Sequence, residues 1–212
     1  MVFLGIVSCY CLGIGTEQPI SPLLTRQTPI ILCLYKGELR KMPHSYSLGK
    51  PEAVDYILKN VNKKSKILDV GPGVGTYSDL LRPYGYFMDC VEIYMGYIKA
   101  YNLHDKYRLV FCDNVMTFDT SRYDFIILGD VLEHLEKKDA QTLLDRIGRC
   151  LVAVPYLCPQ SGVEFEHEGI QLVNPHEEHK QADLTPENML TRYPELKELW
   201  RDEQYGYYVK EK

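Results

Sequence analysis

The run Asp69-Val-Gly-Pro-Gly-Val-Gly75 follows a short apolar stretch, Lys66-Ile-Leu-Asp-Val70, and precedes a helical one. Glycines clustered where a strand becomes a helix constrain the chain more than any other feature. They let the backbone turn tightly and approach a ligand with no Cβ in the way. A G-x-G pattern alone does not name that ligand, but the full spacing narrows it. A dinucleotide-binding turn reads G-x-G-x-x-G, whereas here the third glycine, Gly75, comes one residue early and Thr76 takes the sixth position. That spacing favours a nucleoside without a pyrophosphate.

The flanking pattern supplies the architecture. Apolar residues at Ala53, Val54, Ile57, Leu58 and Val61 recur three and four apart and predict an amphipathic helix, with Pro51 suited to its first turn. Beyond the glycine loop, a helix over 77–81 ends before Pro83. Strands are expected over 86–93, 107–112, 123–129 and 150–154, with helices over 94–101 and 140–148 between them. Strands alternating with helices imply a doubly wound, mostly parallel sheet covered on both faces. A helix from Thr185 or Pro186 to about Tyr193 precedes two segments, 196–201 and 205–210, expected to pair antiparallel. The stretch 156–183 carries Pro, Gly and His without sustained periodicity, and it reads as a long connection over the site.

Strand ends add chemistry. Glu92 closes the second strand, seventeen residues past Gly75, where a carboxylate can accept two hydrogen bonds from a ribose diol. Asp113-Asn114 closes the third, a polar pair set to meet an adenine amino group, with Val115 or Met116 able to pack on the ring.

Composition excludes several classes. A chain of 212 residues with net charge −5 suits one domain with appendages. The segment from Ser161 to Lys180 holds five glutamates against one lysine, which disfavours nucleic acid as substrate. Residues 1–15 are apolar but shorter than the roughly 20 that span a bilayer, and no Lys or Arg precedes Arg26, so neither membrane anchor nor secretory signal is expected. Residues 1–41 read as an N-terminal extension, either an upstream translation artefact or an accessory element, ahead of a domain over 42–212. Seven cysteines without a CxxC pair argue for a reducing, cytoplasmic compartment and no structural zinc, with Cys90, Cys112 and Cys150 as core thiols.

Ile67-Leu-Asp-Val-Gly-Pro-Gly-Val-Gly75, Glu92, Asp113-Asn114 and Asp130-Val-Leu-Glu-His-Leu135 together resemble successive motifs of the class I S-adenosylmethionine-dependent methyltransferases, over roughly 48–210. The resemblance implies a Rossmann-like seven-stranded sheet whose last strand is antiparallel, with S-adenosylmethionine as cofactor. It also implies roles: Asp69, Gly71, Gly73 and Gly75 near the methionine moiety, Glu92 on the ribose, Asp113 with Asn114 on adenine, and Asp130 lining the cofactor or substrate side. The reaction is in-line attack on the sulfonium methyl, helped by orientation and a desolvated pocket. If the acceptor is a hydroxyl, a general base helps, and His134, His167, His176 and His179 are candidates.

Each of these residues also has an ordinary reading. The glycine loop can be a plain turn, Glu92 an exposed strand-end carboxylate, and Asp113-Asn114 a turn pair. Glu133-His134 can simply begin a helix. His176 and His179, with His167, could share a helix face around a metal, but they read better as a solvated loop, so no metal is expected. Most of the seventeen tyrosines should pack; Tyr156, just after the fifth strand, is the one to watch. The expected activity is methyl transfer to a small molecule. The rivals are a catalytically idle methyltransferase-like binding module and a nicotinamide-dependent oxidoreductase. The acceptor atom and the oligomeric state are open.

Overall fold

The computed structural model describes residues 49–167 and 170–212. The expected N-terminal extension over 1–41 lies outside the described residues.

Nine strands and six α-helices occur among the described residues. In chain order they are α1 (Lys50–Asn60), β1 (Ile67–Val70), α2 (Thr76–Leu81), β2 (Asp89–Glu92), α3 (Met95–Ala100), α4 (Leu103–Lys106), β3 (Val110–Cys112) and β4 (Phe125–Gly129). Then follow α5 (Lys137–Arg146), β5 (Arg149–Pro155), β6 (Val163–His167), β7 (Ile170–Asn174), α6 (Pro186–Arg192), β8 (Lys197–Arg201) and β9 (Tyr205–Glu211).

Seven strands form one sheet in the order β3-β2-β1-β4-β5-β9-β8. The first five are parallel, and β9 runs antiparallel to both β5 and β8. The expected doubly wound sheet is therefore present, with its antiparallel strand last in sequence but one place in from the edge. Every residue of β1 is buried, as a strand covered on both faces requires. One face packs Leu143 and Leu144 of α5 and Met189 of α6; the other packs Ala53 and Ile57 of α1 and Leu81 of α2.

The chain order reverses between β1 and β4, where the sheet grows outward in both directions. In open α/β sheets ligands bind outside the carboxyl ends of the strands at such a switch point. Both the glycine loop after β1 and Asp130 after β4 stand there.

Three readings change. The stretch 156–183 is not structureless, since β6 and β7 pair as an antiparallel hairpin within it. The second and third strands are shorter than the apolar runs that announced them, beginning at Asp89 and Val110 rather than 86 and 107. Cys112 is exposed rather than a core thiol, because β3 is the sheet's edge, whereas Cys90 and Cys150 are buried. Among the described residues no helix is long and apolar enough to cross a membrane.

Candidate functional site

The glycine loop is held open by backbone geometry. Gly71, Gly73 and Gly75 all take positive φ, at 57°, 52° and 82°. Gly75 caps α2 from a left-handed conformation, and a Cβ there would stand 2.7 Å from Lys106 Cδ. Lys106 fills that space for a reason: its ammonium donates to the Val74 carbonyl at 2.9 Å and to Asp79 at 2.5 Å, pinning the loop from α4. The Gly71 N–H donates to the Val91 carbonyl at 2.9 Å, tying the loop to β2.

A cleft opens beside this loop. Asp69, Gly71, Gly73, Tyr97, Asp130 and Glu177 are among its walls. Asp69 is buried in β1 and accepts a 2.5 Å hydrogen bond from the Tyr107 hydroxyl; burial pushes its pKa up to about 7, against the pull of that hydroxyl and of Lys50. Asp130 takes φ 56°, a left-handed conformation in which Asp is better tolerated than most residues. Its Oδ1 accepts from the Tyr205 hydroxyl, while its buried Oδ2 has no hydrogen-bond partner. Burial raises the Asp130 pKa as well, opposed first by Lys50.

Lys50 is the counterweight. It is 2% exposed at the start of α1, its ammonium sits over the Tyr77 ring at 4.8 Å and reaches the Tyr207 hydroxyl at 3.5 Å, and desolvation lowers its pKa while Asp130 and Asp69 hold it up. Sequence reasoning missed Lys50, since a lysine beside Pro51 carries no local signal. It missed Glu177 too. That carboxyl follows the β6–β7 hairpin, lines the cleft and is raised by burial while interacting with the Tyr97 hydroxyl.

Glu92, 4% exposed at the end of β2, accepts the Tyr94 N–H at 2.8 Å, and burial pushes its pKa up to about 7. Asp113 and Asn114, at the exposed end of β3, organise their own turn: Asp113 Oδ1 accepts from Asn114 N at 2.7 Å, and Asn114 Oδ1 from Met116 N at 2.9 Å. Neither these two nor Glu92 is among the cleft walls; they continue the line of strand ends beside it.

The candidate histidines scatter. His167 ends β6, and its side chain is outside the described residues. His176 is exposed on a 3-10 turn, Pro175–Glu177, that stops short of His179, so the two share no helix face. His134 and His179 instead meet each other, with ring centroids 4.8 Å apart. His134 follows β4 on a 3-10 turn, and burial with the neighbouring His179 depresses its pKa to about 4. None of these three imidazoles is a cleft wall. Tyr156 is a packing residue: it is buried, with its hydroxyl 2.5 Å from that of Tyr208.

A sequence model of a methyltransferase domain matches residues 39–183. No curated protein matches the chain. Among solved structures, an S-adenosylmethionine-dependent methyltransferase from Clostridium acetobutylicum is similar over 75% of this chain and 90% of its own, at 10% identity and TM-score 0.53. A glycopeptide N-methyltransferase complexed with S-adenosylmethionine is similar over 82% and 100%, at 12% identity and TM-score 0.53. The magnesium protoporphyrin IX methyltransferase of Synechocystis, with its cofactor bound, is similar over 76% and 77%, at 12% identity and TM-score 0.50. At these identities the likeness is one of fold.

Proposed function

The chain belongs to the methyltransferase-domain family, and from that premise we propose that it uses S-adenosylmethionine to methylate a small molecule held against the acidic side of the cleft. The observation that carries this reading is charge. Asp69, Asp130 and Glu177 line the cleft, and Lys50 is the buried cation beside them. S-adenosylmethionine brings a sulfonium and an ammonium to such a site, and the unpartnered Asp130 Oδ2 suits a donor from it. A nicotinamide dinucleotide would bring an anionic pyrophosphate instead, which these carboxyls repel.

In this reading Asp69, Asp130 and the backbone of Gly71, Gly73 and Gly75 hold the methionine end. Glu92 takes the ribose hydroxyls, and Asp113 with Asn114 meets the adenine. A lone pair of the acceptor forms the new bond to the methyl carbon as the carbon–sulfur pair returns to sulfur, leaving neutral S-adenosylhomocysteine sulfur, and the acceptor proton passes to a base. Glu177, raised by burial and set in the cleft wall, is the base we assign, because His134, His176 and His179 stand off the cleft. The small acceptor is supported by the acidic 161–180 segment, which no polyanion would favour.

A melting experiment tests the cofactor assignment. S-adenosylhomocysteine should raise the melting temperature, because a ligand that binds only the folded state stabilises it by mass action, and NAD should not. Equal shifts with both, or none with S-adenosylhomocysteine, remove the reading.

A pH series tests the ribose assignment. Glu92 in the unliganded protein changes charge near 7, and ribose hydroxyls donate best to its ionised form. Protonation therefore competes with binding, and affinity should fall between pH 8 and pH 6, by at most about tenfold per unit below 7 for one such group. Asp69 titrates in the same range. Glu92→Gln should thus shrink the drop without abolishing it; an unchanged drop would assign the whole effect to Asp69 and end the ribose role of Glu92.

A further inference from the structure

We propose that Glu133, His134 and His179 form a binding site for a first-row divalent metal ion of the zinc type, beside the cofactor cleft. One oxygen of Glu133 and one nitrogen from each imidazole all lie within 4.8 Å of one another. Ligands on a tetrahedral zinc stand about 3.4 Å apart, given metal–ligand bonds near 2.1 Å, so small side-chain rotations close the set.

The Glu133 carboxyl is 1% exposed, and neither of its oxygens has a hydrogen-bond partner. A buried carboxylate needs a cation or a full set of donors, and leaving it bare is costly. Nothing in the cofactor reading uses this group, since it lies three residues past Asp130 and is not a cleft wall.

The imidazoles are oriented as ligands. His134 Nδ1 is 3.2 Å from the Glu178 carbonyl, and His179 Nδ1 is 2.5 Å from the Cys158 carbonyl. A carbonyl can only accept, so in each neutral ring Nδ1 carries the hydrogen and Nε2 is left with its lone pair. Metal-binding histidines are held by this kind of outer hydrogen bond.

Separate segments are clamped together to make the group. The Lys180 and Gln181 N–H groups both donate to the Glu133 carbonyl, at 2.7 and 3.0 Å, and the Gln181 side chain donates to the Leu132 carbonyl at 2.8 Å. The chain thus fixes His179 against the turn that carries Glu133 and His134 before any ion arrives. Two imidazoles with one carboxylate select zinc and its transition-metal neighbours over magnesium or calcium, which prefer all-oxygen sets. Three protein ligands leave a position open for water or another oxygen. Glu177 Oε2, 4.0 Å from His134 Nε2, stands next to that space.

The test uses the full chain, treated with chelator and then titrated with Zn²⁺ or Co²⁺ by calorimetry and visible absorption. One ion should bind per chain, Co²⁺ should develop visible d–d bands, and X-ray absorption of the zinc form should show histidine scattering with a shell of light atoms. His179→Ala and the near-isosteric Glu133→Gln, each checked for folding by circular dichroism, should weaken binding on the order of a hundredfold, at the upper end of what even outer partners of a ligand cost. Failure of the chelated wild type to take up either ion overturns the site. A sulfur-dominated shell, or wild-type affinity in both variants, overturns it equally by putting the ion elsewhere. If a variant does not fold, the wild-type absorption spectra decide alone.

Discussion

Glu92→Ala should bind S-adenosylhomocysteine about 1.5–3 kcal/mol more weakly than the wild type, roughly a ten- to hundredfold loss, as expected for hydrogen bonds to a charged group. The size follows from where the carboxyl sits. It ends β2 next to the glycine loop, is almost fully buried, and has one oxygen committed to the Tyr94 N–H, so it is held rigidly before a ligand arrives. Preorganised acceptors contribute more than mobile ones because little side-chain freedom is lost on binding. The fold should survive, and the unliganded protein should lose little stability, because burying this carboxyl is itself unfavourable, as its raised pKa records. Calorimetry on the mutant gives the affinity. A wild-type value would mean that the ribose contact is made elsewhere and that the end of β2 does not face the nucleoside.

Gly206→Ala should destabilise the protein by about 3 kcal/mol, the upper part of the range for overpacking a filled core, and Gly206→Val by more. Gly206 lies within β9, opposite Val154 of β5 on one side and Arg201 of β8 on the other. A Cβ there would fall on the Tyr156 hydroxyl and meet the Tyr208 ring at 2.9 Å. Those two tyrosines are buried and hydrogen-bonded to each other, so neither can swing into solvent cheaply. The strand cannot shift either, being paired on both sides. Urea unfolding should show a lower midpoint with an unchanged slope. Adding Tyr156→Phe to Gly206→Ala should restore part of the loss, since it removes the hydroxyl but leaves the ring carbon 2.6 Å from the new methyl. An unchanged midpoint in Gly206→Ala would mean that the tyrosine pair does not pack over β9.

What the sequence made legible was local. The β1–loop–α2 unit is announced by adjacent residues, and Glu92 and Asp130 by their position at the ends of apolar runs. What it hid depends on contacts between distant segments. Lys50 matters only because α1 brings its ammonium to Asp69 and Asp130, and Glu177 only because a hairpin carries it back to the cleft. The meeting of His134 with His179 spans a separation that no spacing rule covers; spacing offered His179 only His176, a pair that read better as a solvated loop and that the 3-10 turn does not bring onto one helix face. The hairpin left a trace, since Val163-Glu-Phe-Glu alternates. The Pro, Gly and His around it obscured that trace. Strand lengths were overestimated at β2 and β3 because an apolar residue such as Tyr86 packs in the core without extending the strand.

The place of β9 bears on how the chain is born. Its seven residues lie between β5 and β8, so β8, though made first, has no neighbour to dock against until Tyr205–Glu211 has left the ribosome. Until then β5 is an open edge, with a row of unpaired backbone groups next to the apolar Leu151, Val152 and Val154. Domains begin to order during synthesis, at about 5–20 residues per second. The nascent parallel half can therefore assemble early, yet it carries a sticky rim that β9 covers, and a ribosome stalled before β9 emerges would hold a chain prone to pair with its neighbours on the same message.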